Sequence, residues 1–274
     1  TPVLVNLKPV GSHYMEDLFA AGGLDAVLRE LKPLLDLSVL TVTGETLGEI
    51  LARPPIDAVD RTVVAAHDAP IEPLGGLVAL FGSLAPGGAI LKRSAADKRL
   101  LEHTGRAVVF ASLDDLAARI DADDLDVTAD DILVLQNAGP RSEAAMPEAG
   151  YLPIPKKLAR AGVKDMVRIS DARMSGTAYG AVVLHVTPEA AAGGPLALVR
   201  TGDRIRLSVK DRRLDLLVDE AELDRRRNSG VAMAPGRAGE VGGGASSAAA
   251  RRGYDRLYHD HVLQADEGCD FDFC

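Results

Sequence analysis

Apolar positions in the first sixty residues recur at helical spacing, and acidic residues mark the helix starts. Ser12 is placed to cap a helix carrying Glu16 and Asp17 in its first turns, and Gly22 and Gly23 stop it. Residues 25–35 read as a second helix, and 37–42 as a short buried strand. Thr43 and Gly44 then open a helix to about Ala52, and Arg53-Pro-Pro55 breaks the pattern. This opening unit reads as αβα.

Beyond Pro55 the period shortens. Short apolar runs rich in β-branched residues, separated by Gly, Pro and Asp, lie at 62–65, 76–81, 89–91, 106–110, 132–135, 166–169, 181–186, 204–209 and 214–218. Helical spacing returns only at 113–120, 155–161 and 220–227. Many short strands between turn signals favour a barrel or sandwich with helices outside it. Residues 228–250 are rich in Gly, Ala and Ser, too poor in large apolar side chains to offset their ordering entropy, and read as a connector. Tyr254, Leu257, Tyr258, His261 and Val262 then recur at helical spacing and predict an amphipathic helix over 253–264. Its aromatic stripe reads as packing.

Composition narrows the function classes. A net charge of −9 leaves no cationic footprint for nucleic acid or an anionic membrane surface. No apolar run approaches the roughly 20 residues of a membrane span, and no signal peptide precedes the first helix, so a cytoplasmic protein is expected. The only cysteines, Cys269 and Cys274, are too few to hold an iron–sulfur cluster. Of the six histidines only His259 and His261 are close in sequence, and a two-residue spacing sends them to different sides of a helix. His185 reads as a packed or bonded histidine of its strand.

The segment 169–180, Ile-Ser-Asp-Ala-Arg-Met-Ser-Gly-Thr-Ala-Tyr-Gly, sets Ser175 in a Gly-flanked turn directly after an apolar run. A small nucleophilic side chain in such a turn can project into a site. With Tyr14-Met-Glu-Asp, the run from Leu40 to Gly48, Gly75-Gly-Leu with Leu84-Ala-Pro-Gly-Gly-Ala, Asn137-Ala-Gly-Pro, Met146-Pro-Glu148 and the tail from His261 to Gly268, it forms an ordered set of blocks. This order resembles the C-terminal half of the dihydroxy-acid and sugar-acid dehydratases, the family that includes phosphogluconate dehydratase. The resemblance covers nearly the whole chain except 228–250.

The resemblance implies an α/β fold. It consists of a β-barrel-like swivelling domain over 58–227, a remnant of the N-terminal cluster-binding domain over 1–57, the connector 228–250, and a terminal helix and tail over 251–274. It implies a hydro-lyase that converts a 2,3-dihydroxy acid into a 2-keto-3-deoxy acid. It assigns the base to Ser175, a Mg²⁺ ligand to Glu148, and substrate contacts to Thr177 and Arg173. Thr177 reads equally as a solvent-facing turn residue, and Arg173 equally as a group that holds the turn to an acidic neighbour. The other Mg²⁺ ligands and the cysteines of an iron–sulfur cluster, [2Fe–2S] more than [4Fe–4S], belong to the family's N-terminal half. That half is expected to be missing, so this chain by itself is expected to be inactive. A homo-oligomer acting on a small polyhydroxy acid is implied, with the missing half as a partner.

Residues 172–178, Ala-Arg-Met-Ser-Gly-Thr-Ala, follow the sugar-acid form of the turn and favour an aldonate such as arabinonate or xylonate. A branched-chain acid, 2,3-dihydroxy-3-methylbutanoate, is the alternative, and a catalytically silent partner-binding fragment a further one. A serine hydrolase is disfavoured, since no Gly-x-Ser-x-Gly surrounds Ser175. Between Pro140 and Met146 this chain reads Arg-Ser-Glu-Ala-Ala where relatives carry a Gly- and Pro-rich turn, which is expected to alter the path of that loop.

Overall fold

The computed structural model describes residues 1–54, 58–148, 152–176, 178–229 and 252–274. They form two units, residues 1–76 and 77–274. The expected connector over 228–250 lies, but for its first two residues, outside the described residues.

In the first unit, α1 spans Met15–Ala20, α2 Gly23–Leu31 and α3 Leu47–Ala52. Tyr14, not Ser12, is the N-cap of α1, and its N–H donates to Asp17 Oδ2 at 2.7 Å. Ser12 Oγ instead accepts from Asn6 Nδ2. Gly22 ends α1 at φ +97°, a conformation that favours glycine. The start expected at Thr43 and Gly44 moves to Thr46, which forms a capping box with Glu49: Glu49 N–H donates to Thr46 Oγ1, and Thr46 N–H to Glu49 Oε2. The buried strand expected over 37–42 is absent. There the chain turns back at once, Thr41 N–H donating to the Glu45 carbonyl and Gly44 N–H to that of Thr41, so only one bridge forms, from Leu40 to Thr46. Leu40 and Val42 are exposed. Residues 62–65 likewise make one bridge, Val64 to Val5, rather than a strand, although Val63 and Val64 are buried with Ala21 in this unit's core.

The second unit is built on one eight-stranded sheet: β1 Leu77–Leu80, β2 Gly88–Lys92, β3 Glu102–Phe110, β4 Ile132–Leu135, β5 Arg168–Ser170, β6 Val182–Thr187, β7 Arg204–Ser208 and β8 Arg213–Leu216. Every apolar run from 76 onward thus becomes a strand. The order is β1-β2-β6-β5-β4-β3-β7-β8, with β3, β4, β5 and β6 parallel and the rest antiparallel. The edges almost meet. Phe81, just past β1, bridges Arg213 at the start of β8, and the hydrogen bonds Phe81 N–H to Arg212 O and Leu214 N–H to Phe81 O nearly close the sheet into a barrel.

Strand parity divides the core. Ile132 and Val134 of β4 join Leu80, Leu91, Ile169, Val183 and Leu214 in one cluster, and Leu133 and Leu135 join Phe110, Met166 and Leu184 in another. All four residues of β4 are buried, as expected of a parallel strand covered on both faces. The second cluster is covered by Leu116 of α4, Leu113–Arg119, whose N-cap Ser112 accepts from Asp115 N–H. The remaining helices are α5 Lys156–Arg160, α6 Glu220–Asn228 and α7 Gly253–His261. No helix among the described residues is long and apolar enough to cross a membrane.

Candidate active site

The site lies where β5 ends and the chain runs on, without regular pairing, into the Ser175 turn. Two neighbouring segments flank this extension. On one side Arg173 N–H donates to the Pro147 carbonyl, and Arg173 pairs with Glu148 as a parallel bridge. On the other side His185 N–H donates to the Ala172 carbonyl, and the His185 Nε2 accepts the Met174 N–H at 2.8 Å. The turn is closed by Ala178 N–H to Ser175 O, and Lys92 Nζ, from the end of β2, donates to the Gly176 carbonyl at 2.5 Å. The returning limb is tied down by buried Arg168, which donates to the Tyr179 carbonyl at 3.0 Å and pairs with Asp165 at 3.1 Å. Asp165 in turn accepts the Ala181 N–H with both oxygens, each at 2.9 Å.

Three of the four candidate residues therefore sit together. Ser175 is half-buried in the turn. The Arg173 guanidinium lies 3.9 Å from Glu148 Oε2, and both side chains are exposed enough to meet a ligand. The acidic neighbour that one reading of Arg173 required is thus Glu148. Thr177 lies outside the described residues.

Below this surface lie two carboxylates that pattern reading passed over. Asp171, 1% exposed, accepts the Ala138 N–H on Oδ1 and the Ala190 N–H on Oδ2, each at 2.9 Å. It thereby joins three loops beneath the site. Burial, with a smaller contribution from nearby Glu189, pushes its carboxyl up to about 6, despite the two amides that favour the charged form. Glu189, equally buried, accepts the Arg141 N–H with both oxygens and Gln264 Nε2 at 2.7 Å, while its own N–H donates to Gln264 Oε1 at 2.9 Å. Burial raises its carboxyl as well. Gly139 has to be glycine for this contact, because a Cβ there would stand 2.3 Å from Glu189 Oε2. The only sequence signal for either acid is its place: one immediately follows β5, and the other follows β6 by two residues.

The departure from the family's turn at 141–145 has a structural counterpart. The loop closes through Met146 N–H to Gly139 O and Ser142 Oγ to Gly139 O, while Ala145 and Met146 take the left-handed conformation at φ +48° and +53°. Glycine would adopt it without strain. The C-terminal segment covers this loop: Arg141 Nε donates to the Val262 carbonyl, and Cys269 Sγ lies 3.3 Å from Met146 Sδ.

The donors present discriminate between cofactors. Glu148 is a half-exposed carboxylate suited to one coordination position of a hard cation, and among the described residues no three His, Cys, Asp or Glu side chains converge to complete such a site. The thiols do not fit an iron–sulfur cluster: the chain has two, and burial raises the Cys269 thiol, which favours its neutral form over a ligating thiolate.

Residues 62–269 match the family described as dihydroxy-acid/6-phosphogluconate dehydratase C-terminal, and residues 1–50 match its N-terminal counterpart. The chain belongs to this dehydratase family. It is 51% identical to an L-arabonate dehydratase of Azospirillum brasilense over 100% of this chain and 46% of that protein. A 6-deoxy-6-sulfo-D-gluconate dehydratase of Pseudomonas putida is 48% identical over 99% of the chain and 45% of its own length. More distant is a dihydroxy-acid dehydratase of Methanothrix thermoacetophila, 46% identical over 84% of the chain and 42% of its own length. The chain thus spans about half the length of these dehydratase relatives.

Proposed function

We propose that this chain supplies the base and one metal ligand of a hydro-lyase that dehydrates a sugar acid, an aldonate such as arabinonate or xylonate, to its 2-keto-3-deoxy acid. The observation that carries this reading is the juxtaposition of the Ser175 turn with Glu148 through the Arg173 bridge, in a chain similar to sugar-acid dehydratases along its full length. The reaction removes the weakly acidic C2 proton and expels the C3 hydroxyl. Ser175, as an alkoxide, takes the proton from C2; the C2–C3 double bond forms as the C3 hydroxyl departs, the proton now on Ser175 passes to that hydroxide to give water and restore the alkoxide, and the enol ketonises. A divalent cation, when bound, would supply the positive charge that stabilises the anion building at the carboxylate and C2. Glu148 would contribute one carboxylate oxygen to hold Mg²⁺. Arg173 has donors to spare for the substrate carboxylate, its contact with Glu148 being long at 3.9 Å. Thr177 is proposed as a second contact. The iron–sulfur cluster that the family implies would find its ligands outside this sequence, and no step is assigned to it. Exposed Phe19, Leu24, Leu40 and Val42 suit a surface that another part of the enzyme, or a second copy, covers.

The substrate class is tested by offering the intact enzyme L-arabinonate, D-xylonate and 2,3-dihydroxy-3-methylbutanoate and following 2-keto acid formation. At least a tenfold higher kcat/KM for an aldonate is expected; a preference for the branched-chain acid would reverse the assignment. A second experiment addresses the metal. Glu148→Gln deletes one charged oxygen ligand and should raise the Mg²⁺ concentration for half-maximal activity by roughly tenfold or more. An unchanged titration would remove Glu148 from the metal site.

A further inference from the structure

Of the non-glycine residues with positive φ, four lie in the segments around the candidate site: Asn137, Ala145, Met146 and His185, the last at φ +55°. Among the described residues, His185 is the one within a strand. Its conformation coincides with a break in the β2–β6 register: Gly88 pairs with Thr187 and Ile90 with Leu184, so two steps along β2 match three along β6. This is a β-bulge, the device by which a strand re-aims one side chain, and it adds to the backbone strain of the left-handed residue. Without the bulge, His185 would keep the alternation of β6. With it, the imidazole reaches the Met174 N–H at 2.8 Å, while the backbone N–H of His185 donates to the Ala172 carbonyl.

We propose that His185 is a positioning residue for the base: its Nε2 grips the backbone immediately before Ser175 and fixes the direction of the serine side chain. An amide N–H can donate only to a lone pair, so Nε2 carries no proton and the ring is the neutral tautomer protonated at Nδ1. Burial, with the nearby Arg173 charge, lowers the tendency of this imidazole to take up a second proton. On the far side of Ser175, Lys92 holds the Gly176 carbonyl, so the serine's backbone is pinned at both neighbours. Fixing a reacting group through such supports matters because a misplacement of about 1 Å can lower the rate on the order of 10²-fold.

The inference rests on the reading of Ser175 as base, and its test separates the two. In the intact enzyme, His185→Leu removes the acceptor, whereas His185→Gln keeps a carbonyl oxygen near the position of Nε2; both variants carry similar strain at φ +55°. His185→Leu is expected to lower kcat about 100-fold with KM within threefold, and His185→Gln to recover most of the loss. Hydrogen exchange at the Met174 amide should be slow in the parent and in His185→Gln, and at least tenfold faster in His185→Leu. A His185→Leu enzyme within threefold of the parent kcat, a Gln variant as poor as the Leu variant, or unchanged protection of the Met174 amide would overturn the proposal. The exchange measurement does not depend on catalysis, so failure of the grip is told apart from failure of the base assignment, which Ser175→Ala tests by itself.

Discussion

Ser175→Ala is expected to abolish turnover of the intact enzyme while leaving its metal content and its fold unchanged. The substitution deletes one oxygen. The bonds described above run through main-chain atoms of residues 172 to 176 and 178, and these remain. What disappears is the group proposed to accept the C2 proton. Positioned general bases contribute about 10²- to 10⁴-fold, so a fall of at least about 10²-fold in kcat is expected. A serine hydroxyl is a weak base unless its surroundings favour the alkoxide, and the Lys92 ammonium, donating to the Gly176 carbonyl, brings positive charge to the turn. The check is 2-keto acid formation alongside iron and Mg²⁺ analysis of the purified variant. Residual activity within tenfold of the parent would take Ser175 out of the role.

The largest structural effect is expected at Asp171, whose truncation to Ala strips the Ala138 and Ala190 amides of their acceptor in a fully buried setting. Each unsatisfied buried donor costs about 1–3 kcal/mol, so Asp171→Ala should destabilise the protein by roughly 2–5 kcal/mol, read as a shift in urea unfolding. The effect has a pH signature. Because the folded carboxyl is raised to about 6 while the unfolded one titrates near its ordinary value of 3.8, the folded state holds this proton more tightly. The associated stability is present in full below about pH 4 and is lost as pH rises through about 6. With about 1.4 kcal/mol per pKa unit, the parent's advantage over Asp171→Ala should be larger at pH 4.5 than at pH 7.5 by up to about 2 kcal/mol. A pH-independent difference between parent and variant would show that the acid is not held this way.

The strands of residues 77–274 could be read almost run by run, because each holds a short apolar or alternating stretch bounded by turn residues. In the first unit the same cue misled at 37–42. Six apolar-rich residues there fold back on themselves, since Gly44 permits a turn and Thr46 with Glu49 starts a helix immediately after it. Local capping chemistry prevailed over the apolar run.

Ser175, Arg173 and Glu148 stood out because their motifs are contiguous, and a contiguous motif needs no knowledge of what lies across the sheet. The strands from residue 77 onward were therefore legible locally, while the choice of barrel over sandwich came with the resemblance. What supports the turn is set by long-range packing. Asp171, Glu189, Lys92 and His185 act on segments between 11 and 84 residues away along the chain, joined by a parallel β5–β6 pairing and a bulge that no local pattern announces. Their partners are mostly backbone amides and carbonyls. Every residue carries these groups, so side-chain identity could not reveal which ones a buried carboxylate or an imidazole would reach.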